Sequence, residues 1–319
     1  MVDLQLRLQD LQPIFGPRLQ TGVSLKRFTA ARVGGQADVL ITASSSSELA
    51  ETVKQLWELS IPFIILGSGS NVLVSDAGVR QVVVKNRAKK IVFNRQAQPP
   101  TVWVESGANL GALARRAATH GLAGLEWAGA IPGTVGGAIY GNAGAHGADI
   151  SSNLLMAEIL HRKQVNGAEK HAILREAWTV DRFEYAYRSS LLKRQPGQMV
   201  ILAALMKLDA STPELVMAKM DEYKIMRQGS QPSGASMGSI FKNPPGDYAG
   251  RLIEAAGLKG RRIGKVEISR KHANFFINQD SATASDYAAL IRLAQEKVKE
   301  EFGVNLELEI EMLGDWSGQ

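Results

Sequence analysis

Residues 121–147 read GLAGLEWAGAIPGTVGGAIYGNAGAHG, and this stretch decides how the chain can fold. Eight of the 24 residues from Gly124 to Gly147 are glycine. Glycine loses more conformational entropy on folding than other residues, so a dense cluster requires a structural reason. A flexible linker would lack bulky anchors such as Trp127 and Ile139. The stretch therefore predicts either a backbone folded closely around a large anion or a set of buried tight turns.

The composition excludes several classes of site. The chain has 319 residues, no cysteine, five histidines and a formal net charge of +6. Without cysteine there can be no disulfide, no thiolate nucleophile and no cysteine-ligated metal, and the histidines show no H-x-x-x-H spacing. We therefore expect no metal site. The positive charge suits an anionic ligand, and the basic residues form no long run of the kind that nucleic-acid binders carry.

The length predicts two or three domains, and no segment predicts export or membrane insertion. The N-terminus is amphipathic and lacks the apolar core of a signal peptide. The glycine-rich stretch contains too many small residues and turns for a transmembrane helix. We expect a soluble cytoplasmic protein that binds neither nucleic acid nor membrane. We also expect a monomer, although the sequence does not settle the oligomeric state.

Apolar periodicity and turn residues divide the chain into three α+β domains, at residues 1–85, 86–210 and 211–319. Ser45 and Glu48 form a capping box, and Pro13 and Gly16 are expected to end the first helix. The predicted helices cover residues 2–12, 45–59, 110–120, 212–228, 249–256 and 283–301. The predicted strands cover residues 39–41, 61–66, 79–85, 89–93, 101–106, 156–163, 197–209, 272–278 and 304–313.

A second loop of small residues, Gly67-Ser68-Gly69-Ser70-Asn71, follows a predicted strand. Its main-chain N–H groups, serine hydroxyls and asparagine amide could hold a pyrophosphate. It is not a Walker loop, since the G-K-[ST] ending is missing, and Val72 replaces the third glycine of the dinucleotide fingerprint. A polar turn between two strands is the alternative interpretation. A pyrophosphate bound between this loop and residues 129–147 would account for both.

Three further positions carry side chains that suit chemistry on an anionic substrate. Arg188, in YAYRS (185–189), can bind a carboxylate or enolate oxygen bidentately. Ser239, in GSIFKNP (238–244), has no nucleophile elbow around it and could donate a proton. Glu309 lies on the polar face of the last predicted strand. Each has a commoner alternative interpretation: a surface arginine, a turn serine and a solvated glutamate.

Nine short motifs follow one another over nearly the whole chain. They are FTAARVGG (28–35), LGSGSNVLV (66–74), IPGTVGGA (131–138), NAGAHG (142–147), YRSS (187–190), GSIFKNP (238–244), AGLKG (256–260), HANFFIN (272–278) and LELEIEMLG (306–314). Each motif is weak alone, but the ordered set is specific. Together they resemble the UDP-N-acetylenolpyruvoylglucosamine reductase family, flavoenzymes of bacterial peptidoglycan precursor synthesis.

The resemblance implies an α+β fold of three domains. The first two form an FAD-binding module of the vanillyl-alcohol-oxidase (PCMH) type, and the third is a C-terminal substrate-binding domain. The resemblance also implies that NADPH reduces FAD and leaves, after which the enolpyruvyl ether of UDP-N-acetylglucosamine enters the same cleft. Flavin N5 then delivers hydride to C3 of the enolpyruvyl group, and protonation at C2 gives UDP-N-acetylmuramate. The sequence does not settle the preference between NADPH and NADH.

The resemblance further implies roles for individual residues. Arg188 offsets negative charge on the enolpyruvyl carboxylate, Ser239 donates the proton to C2, and Glu309 acts as an acid or hydrogen-bonding group or orients its neighbours. The implied contacts to the substrate's pyrophosphate, uridine or carboxylate are Tyr187, Arg227, Lys242, Asn243 and His272. The implied FAD contacts are Gly67, Ser68, Gly69, Ser70, Asn71, Val72, Pro132, Gly133, Thr134, Gly136, Gly137, Ala138, Asn142, Gly144 and Ala145.

The chain departs from the family pattern in three places. Ala130 replaces the more usual glycine before Ile-Pro-Gly, and Lys265 and Glu267 stand where small or amide residues are commoner. The first departure would tighten the flavin turn, and the other two alter local detail of the third domain. Arg188 and Ser239 are only 51 positions apart. This resembles the shorter subclass, which lacks the inserted loop whose tyrosine covers the substrate, so how the site closes stays open.

Two other functions stay open from the sequence. Another enzyme on the same flavin module, such as an FAD-linked alcohol oxidase, would need no Ser239 and would commonly link its flavin through a histidine. His146 is the one histidine within residues 124–147. A cofactor-free binding protein for UDP-sugars would have no use for Arg188, Ser239 and Glu309 together.

Overall fold

The computed structural model describes residues 4–164 and 171–317. The fold is α+β, with separate apolar cores in successive parts of the chain. The helices are α1 (Leu4–Phe15), α2 (Ser46–Glu58), α3 (Leu110–Thr119), α4 (Val135–Gly141), α5 (Ile150–Asn153), α6 (Leu191–Arg194), α7 (Pro213–Ser230), α8 (Ala249–Ala255) and α9 (Ala284–Phe302).

The strands are mostly short. They are β1 (Leu19–Ser24), β2 (Gln36–Ala43), β3 (Phe63–Leu66), β4 (Val72–Val74), β5 (Val79–Asn86), β6 (Ile91–Asn94), β7 (Thr101–Glu105), β8 (Leu122–Ala123), β9 (Gly144–Ala145), β10 (Ala148–Asp149), β11 (Leu154–Gln164), β12 (His171–Thr179), β13 (Met199–Lys207), β14 (Asp209–Ala210), β15 (Arg262–Ile263), β16 (Val266–Ile268), β17 (Phe276–Asn278) and β18 (Glu311–Leu313).

The first part of the chain forms a four-stranded sheet in the order β1-β2-β5-β3. β1 is antiparallel to β2, and the other pairs are parallel. Helix α2 begins where predicted, because Ser45 Oγ accepts a hydrogen bond from Glu48 N at 3.1 Å. The Glu48 carboxylate accepts from Ser44 N at 2.8 Å, one residue before the position that a capping box requires.

Of the two residues expected to end the first helix, Gly16 does so and Pro13 does not. Helix α1 continues through Pro13 to Phe15 and ends before Gly16, whose φ is +50°. Leu11 and Phe15 are buried against the first sheet. We infer that this packing outweighs the hydrogen bond that a proline removes from a helix.

The second part of the chain forms a five-stranded antiparallel sheet in the order β12-β11-β13-β7-β6. Helix α3 begins at the cap Asn109, whose Oδ1 accepts from Ala112 N at 2.8 Å. It ends at Thr119, and Gly121, two residues later, adopts φ +66°, as expected for a glycine that follows a helix C-terminus. Helix α4, inside the glycine-rich stretch, packs Val135 and Ile139 into the core of this sheet.

The third part of the chain packs α8 and α9 on the three-stranded antiparallel sheet β15-β16-β17. Helix α9 carries a capping box between Thr283 and Asp286. The carboxylate of Asp76 also accepts hydrogen bonds from Ala284 N at 2.9 Å and Ser285 N at 2.8 Å. The start of α9 is therefore fixed by a residue that belongs to the first part of the chain.

The prediction of one continuous strand over residues 304–313 is wrong. Only Glu311–Leu313 forms a strand, and this strand, β18, pairs in parallel with β4. Before it, the chain makes a single antiparallel bridge between Leu308 and Phe241. Leu306 and Ile310 are buried, but Met312 is exposed, because the segment turns from the third core to the edge strand β4.

Helix α7 packs against α3 and the helical turn Glu126–Ala128. Met220 and Tyr223 contact the core of the second sheet. The sequence places this helix in a third domain that starts at residue 211. From the packing we propose that the third domain begins after Ser230.

Candidate active site

The two loops of small residues lie against each other. A Cβ built on Gly67 would lie 2.5 Å from Thr134 Oγ1, and one built on Gly133 would lie 3.3 Å from Ser70 Oγ. The sequence hypothesis that one ligand could contact both loops requires this proximity. Glycine at 67 is what allows the approach, because any side chain there would meet Thr134.

Main-chain N–H groups of both loops are left without protein acceptors. Over the described residues, no acceptor within hydrogen-bonding distance receives the N–H groups of residues 68–71 or of Gly133 and Thr134. The carbonyl groups are used instead: Gly69 O accepts from Ala30 N at 2.9 Å, and Gly133 O accepts from Leu110 N at 3.1 Å. Loops whose carbonyl groups accept hydrogen bonds from the protein, and whose N–H groups have no protein acceptor, suit an anion such as a pyrophosphate.

Asn142 closes helix α4 in the left-handed conformation, with φ +45°. Its side chain is buried; Nδ2 donates to Ala186 O at 3.2 Å, and Oδ1 has no partner among the described residues. A buried unpaired amide oxygen is rare in native structures. It marks a position where a donor on a ligand can bind.

Arg188 lies in a tight turn in which Ala186 and Ser189 exchange both main-chain hydrogen bonds. Its φ is +54°, a conformation that glycine usually takes. The guanidinium donates to Gly144 O at 3.1 Å and to Asn142 O at 3.4 Å, and Nε lies 2.8 Å from Glu309 Oε1. A strained turn thus presents a fixed cation to the glycine-rich stretch and to the C-terminal segment.

Glu309 is the buried partner of this cation. Its side chain is 18% exposed, against 75% for Glu307. The solvated interpretation therefore fits Glu307 and is wrong for Glu309. Burial raises the pKa of the Glu309 carboxyl, and Arg188 opposes that rise, with smaller contributions from Lys193 and Lys242.

Ser239 comes next to this pair through main-chain contacts. It forms a bridge with Phe275, and the following residue, Ile240, accepts a hydrogen bond from Glu309 N at 2.8 Å. Asn71, the last residue of the first loop, donates from Nδ2 to Glu309 O at 3.0 Å. The loop of residues 67–71, the serine and the glutamate therefore lie in one connected structure.

Known proteins of one kind match this chain along its length. A family model described as UDP-N-acetylenolpyruvoylglucosamine reductase, C-terminal domain, matches residues 231–313, and one described as FAD binding domain matches residues 37–163. The UDP-N-acetylenolpyruvoylglucosamine reductase of Chloroflexus aggregans is 41% identical over 300 residues, which cover 92% of this chain and 97% of that protein. The chain belongs to the UDP-N-acetylenolpyruvoylglucosamine reductase family.

Other relatives agree. The reductase of Rubrobacter xylanophilus is 41% identical over 307 residues, covering 96% of this chain and 98% of that protein. The crystal structure of the Thermus caldophilus enzyme superposes with a TM-score of 0.75 at 34% identity, covering 93% of this chain and 99% of that one. The predicted family and the predicted α+β fold, with an FAD-binding module followed by the family's C-terminal domain, are confirmed.

The predicted substrate contacts divide into two groups. Tyr187 and Asn243 touch, with Asn243 N 3.5 Å from Tyr187 Oη, and the Arg188 guanidinium lies 5.4 Å from the centre of the Tyr187 ring. Lys242 pairs with Glu307 at 3.2 Å. Tyr187 therefore lies beside Arg188, Lys242 faces Glu309, and Asn243 contacts Tyr187.

Arg227 and His272 lie apart from the pair. Arg227 is in the last turn of α7, where burial lowers its pKa, and it contributes to the lowered pKa of His146, which burial mainly causes. His272 Nδ1 accepts from Asn274 N at 3.2 Å, and its ring packs on Phe275. Neither Arg227 nor His272 contacts Arg188 or Glu309 in the described part of the chain.

Two lysines of this region were missed by the sequence analysis. Lys85 Nζ donates to Gly67 O and lies 5.2 Å from the centre of the Phe28 ring. Burial, helped by Arg87, lowers the pKa of Lys85 to about 8. Lys193 pairs with Glu311 at 2.7 Å. Both lie close to motifs in sequence, Lys85 at the end of an apolar strand and Lys193 three residues after YRSS.

The described residues contain no cluster of three or more acidic, histidine or cysteine side chains that could hold a metal ion. No helix in the described ranges is long and apolar enough to cross a membrane.

Proposed function

We propose that this chain reduces the enolpyruvyl group of UDP-N-acetylglucosamine enolpyruvate to give UDP-N-acetylmuramate, with FAD as cofactor and NADPH as hydride source, in the cytoplasmic synthesis of peptidoglycan precursors. The observation that carries the proposal is the partly buried ion pair of Arg188 and Glu309 beside both loops of small residues. A reductase that acts on an anionic enol ether requires a fixed cation of this kind to stabilise the developing negative charge. A flavin-binding module alone does not require one.

The groups present fit FAD. The available N–H groups of residues 68–71, Gly133 and Thr134 suit its pyrophosphate, and the unpaired Asn142 Oδ1 suits a donor on the same molecule. Bound FAD supplies the hydride chemistry, from NADPH to C3 of the enolpyruvyl group. The glycine-rich stretch from Pro132 to Ala145 holds and orients the cofactor in this proposal, and takes no part in the bond changes.

Arg188 binds the enolpyruvyl carboxylate and stabilises the negative charge that develops when hydride adds to C3. Its guanidinium is already fixed by Gly144 O, Asn142 O and Glu309, so no reorganisation is needed during the reaction. Glu309 keeps the guanidinium in place and balances its charge. Tyr187, Lys242 and Asn243 surround the same position and bind the substrate, while Arg227 and His272 are assigned to its more distant parts.

Ser239 donates the proton that C2 receives. A serine hydroxyl is a weak acid, so it depends on positive charge nearby, and it works only if the developing carbanion is the stronger base. Arg188 and Lys242 place positive charge at Glu309, and the hydrogen bond from Glu309 N to Ile240 O holds the segment that carries the serine against the ion pair.

Separate measurement of the two half-reactions tests this proposal. The purified protein should take up FAD, and NADPH should bleach its visible spectrum. Adding UDP-N-acetylglucosamine enolpyruvate should restore the spectrum. In Ser239→Ala, bleaching by NADPH should be unchanged, and the recovery should slow at least about a hundredfold, the usual effect of losing a positioned acid.

Ser233→Ala is the matched control, since Ser233 is an exposed serine of the same loop region. It should leave both half-reactions unchanged. A protein that takes up no FAD would refute the proposed reaction, and equal recovery rates for Ser239→Ala and the wild type would refute the role of Ser239 alone.

A further inference from the structure

Two ion pairs join the same two segments of the chain. Arg188 Nε lies 2.8 Å from Glu309 Oε1, and Lys193 Nζ lies 2.7 Å from Glu311 Oε1. The second pair is also withdrawn from solvent, with side-chain exposures of 17% for Lys193 and 34% for Glu311. Lys193 is thus a partly buried cation, and ordering its long side chain costs conformational entropy, so its presence beside the first pair requires a reason.

Lys193 is held from the side of the glycine-rich stretch. Its N–H donates to Ser190 Oγ at 3.2 Å, and the same hydroxyl donates to Tyr140 O at 2.6 Å. Ser190 is fully buried and caps helix α6. The lysine is therefore fixed to helix α4, close to the turn that carries Arg188.

Glu311 is held from the side of the first cofactor loop. Its N–H donates to Asn71 O at 2.9 Å, while Asn71 Nδ2 donates to Glu309 O at 3.0 Å. One asparagine thus binds the backbone at both glutamates. Any shift of Glu311 moves Glu309, because both belong to a segment whose position depends on Asn71 and on the two ion pairs.

The charged groups around Glu309 also connect it to Lys193. The cations that face it are Arg188, Lys193 and Lys242, and the neighbouring acids Glu307 and Glu311 are each paired with one of these lysines. Burial raises the pKa of Glu309, and the three cations lower it. Without Lys193, both an attractive charge and the partner of Glu311 are lost, leaving an unpaired acid two residues away.

We propose that Lys193 is a positioning residue that, through its ion pair with Glu311, holds Glu309 in register with Arg188. It does not touch the reacting atoms. The proposal rests on the function proposed above for Arg188 and Glu309, and it adds a residue whose loss should damage the second half-reaction selectively.

The test uses the FAD-loaded enzyme with Lys193→Met, Lys193→Arg and Glu311→Gln. In Lys193→Met the rate of flavin reoxidation by the enolpyruvyl substrate should fall about tenfold, with KM and the rate of reduction by NADPH within about twofold. The acid limb of the reoxidation pH profile should move up by about 0.5 to 1 pH unit, since removing a cation raises the pKa of a nearby carboxyl. Lys193→Arg should restore most of the rate.

Lys259→Met is the matched control. Lys259 forms a 2.7 Å ion pair with Glu254 in the third part of the chain, and its side chain is 29% exposed. It should lower stability to a similar degree without moving the pKa of Glu309, although it should raise the pKa of His272, which burial and, to a smaller extent, Lys259 lower. If Lys193→Met changes only thermal stability, as Lys259→Met does, the positioning role is overturned.

A measurement without substrate separates this inference from the proposed function. Carboxyl carbon-13 NMR of the protein labelled at glutamate follows the ionisation of Glu309, assigned through Glu309→Gln. The pKa of Glu309 should rise in Lys193→Met and should stay unchanged in Lys259→Met. A wild type that never reduces the substrate refutes the function, whereas an unchanged Glu309 titration in Lys193→Met refutes the inference, whichever reaction the enzyme performs.

Discussion

Replacing Gly67 by alanine tests whether the two loops of small residues close on a common ligand. The backbone at Gly67 does not have positive φ, so alanine brings no conformational strain of its own. The added methyl would lie 2.5 Å from Thr134 Oγ1 and 3.1 Å from Thr134 Cγ2. These distances are far inside van der Waals contact, so the first loop and the start of α4 must move apart.

The cost should appear mainly in cofactor binding. Without FAD, the loop of residues 67–71 can shift away from Thr134 and relieve the clash. Bound FAD requires N–H groups from both loops at once, so the clash then lowers its affinity. Overpacking of this kind typically costs about 1–3 kcal/mol, so the Kd for FAD should rise roughly 5- to 150-fold. Thr134→Ala removes both clashing atoms and leaves Thr134 Cβ at 3.4 Å, an ordinary contact.

Equilibrium titration of the apoprotein with FAD, followed by flavin fluorescence, measures each Kd. Thr134→Ala alone should weaken binding slightly, since Thr134 Oγ1 caps α4 by accepting from Gly137 N at 3.3 Å. The double variant should bind better than Gly67→Ala. Gly229→Ala in α7 is the control, because it lies outside both loops and a methyl there meets nothing within 4 Å. Equal Kd values for Gly67→Ala and the wild type, or no rescue by Thr134→Ala, would refute the contact between the loops.

Two further variants test groups that support these loops and the third domain. Lys85→Met should abolish a rise in the free energy of unfolding between pH 8 and 10.5, because the folded chain releases this proton near pH 8 and the unfolded chain only near 10.5. In the wild type, the free energy of unfolding should rise by at most about 3 kcal/mol over this pH range, and by roughly half that after solvent screening. Urea titrations at several pH values between 8 and 10.5 measure this rise, with the exposed Lys54→Met as control. If the free energy of unfolding depends on pH in the same way in Lys85→Met and the wild type, the prediction is refuted. Asp76→Asn should lower the free energy of unfolding by about 1 kcal/mol, since it weakens a charged cap of α9. Asp221→Asn, on the exposed face of α7, is the control and should leave the free energy of unfolding unchanged. Identical urea midpoints for the two variants would count against the cap.

Local signals in the sequence predicted local structure well. Helix α7 begins at Pro213 with Thr212 as its cap, and α3 ends at Thr119, two residues before Gly121, because a cap or a glycine with positive φ acts within one turn of the chain. The same local rules failed at Pro13, where burial of the neighbouring Phe15 decides the outcome. Packing between distant residues is not visible in a short window of sequence.

The C-terminal segment shows this limit most clearly. Period-two alternation gives Glu307 and Glu309 the same pattern, yet one is exposed and the other buried against Arg188. The two glutamates differ because the C-terminal segment runs from its bridge with Phe241 to its pairing with β4. Both of these partners are far away in sequence. Only the family resemblance predicted that Glu309 differs from its neighbours, and no periodicity could have found the pair of Lys193 and Glu311.

The pairing of β18 with β4 explains why the cofactor loop and the glutamate belong to one structure. Asn71 ends the loop whose N–H groups suit a pyrophosphate, and the same residue binds the backbone of Glu309 and Glu311. Ordering the loop on a ligand therefore restricts the C-terminal segment as well, which reduces the entropy that remains to be lost when Glu309 and Arg188 align. We therefore propose that ligand binding at this loop and the register of the Arg188–Glu309 pair are coupled through Asn71 and the pairing of β18 with β4.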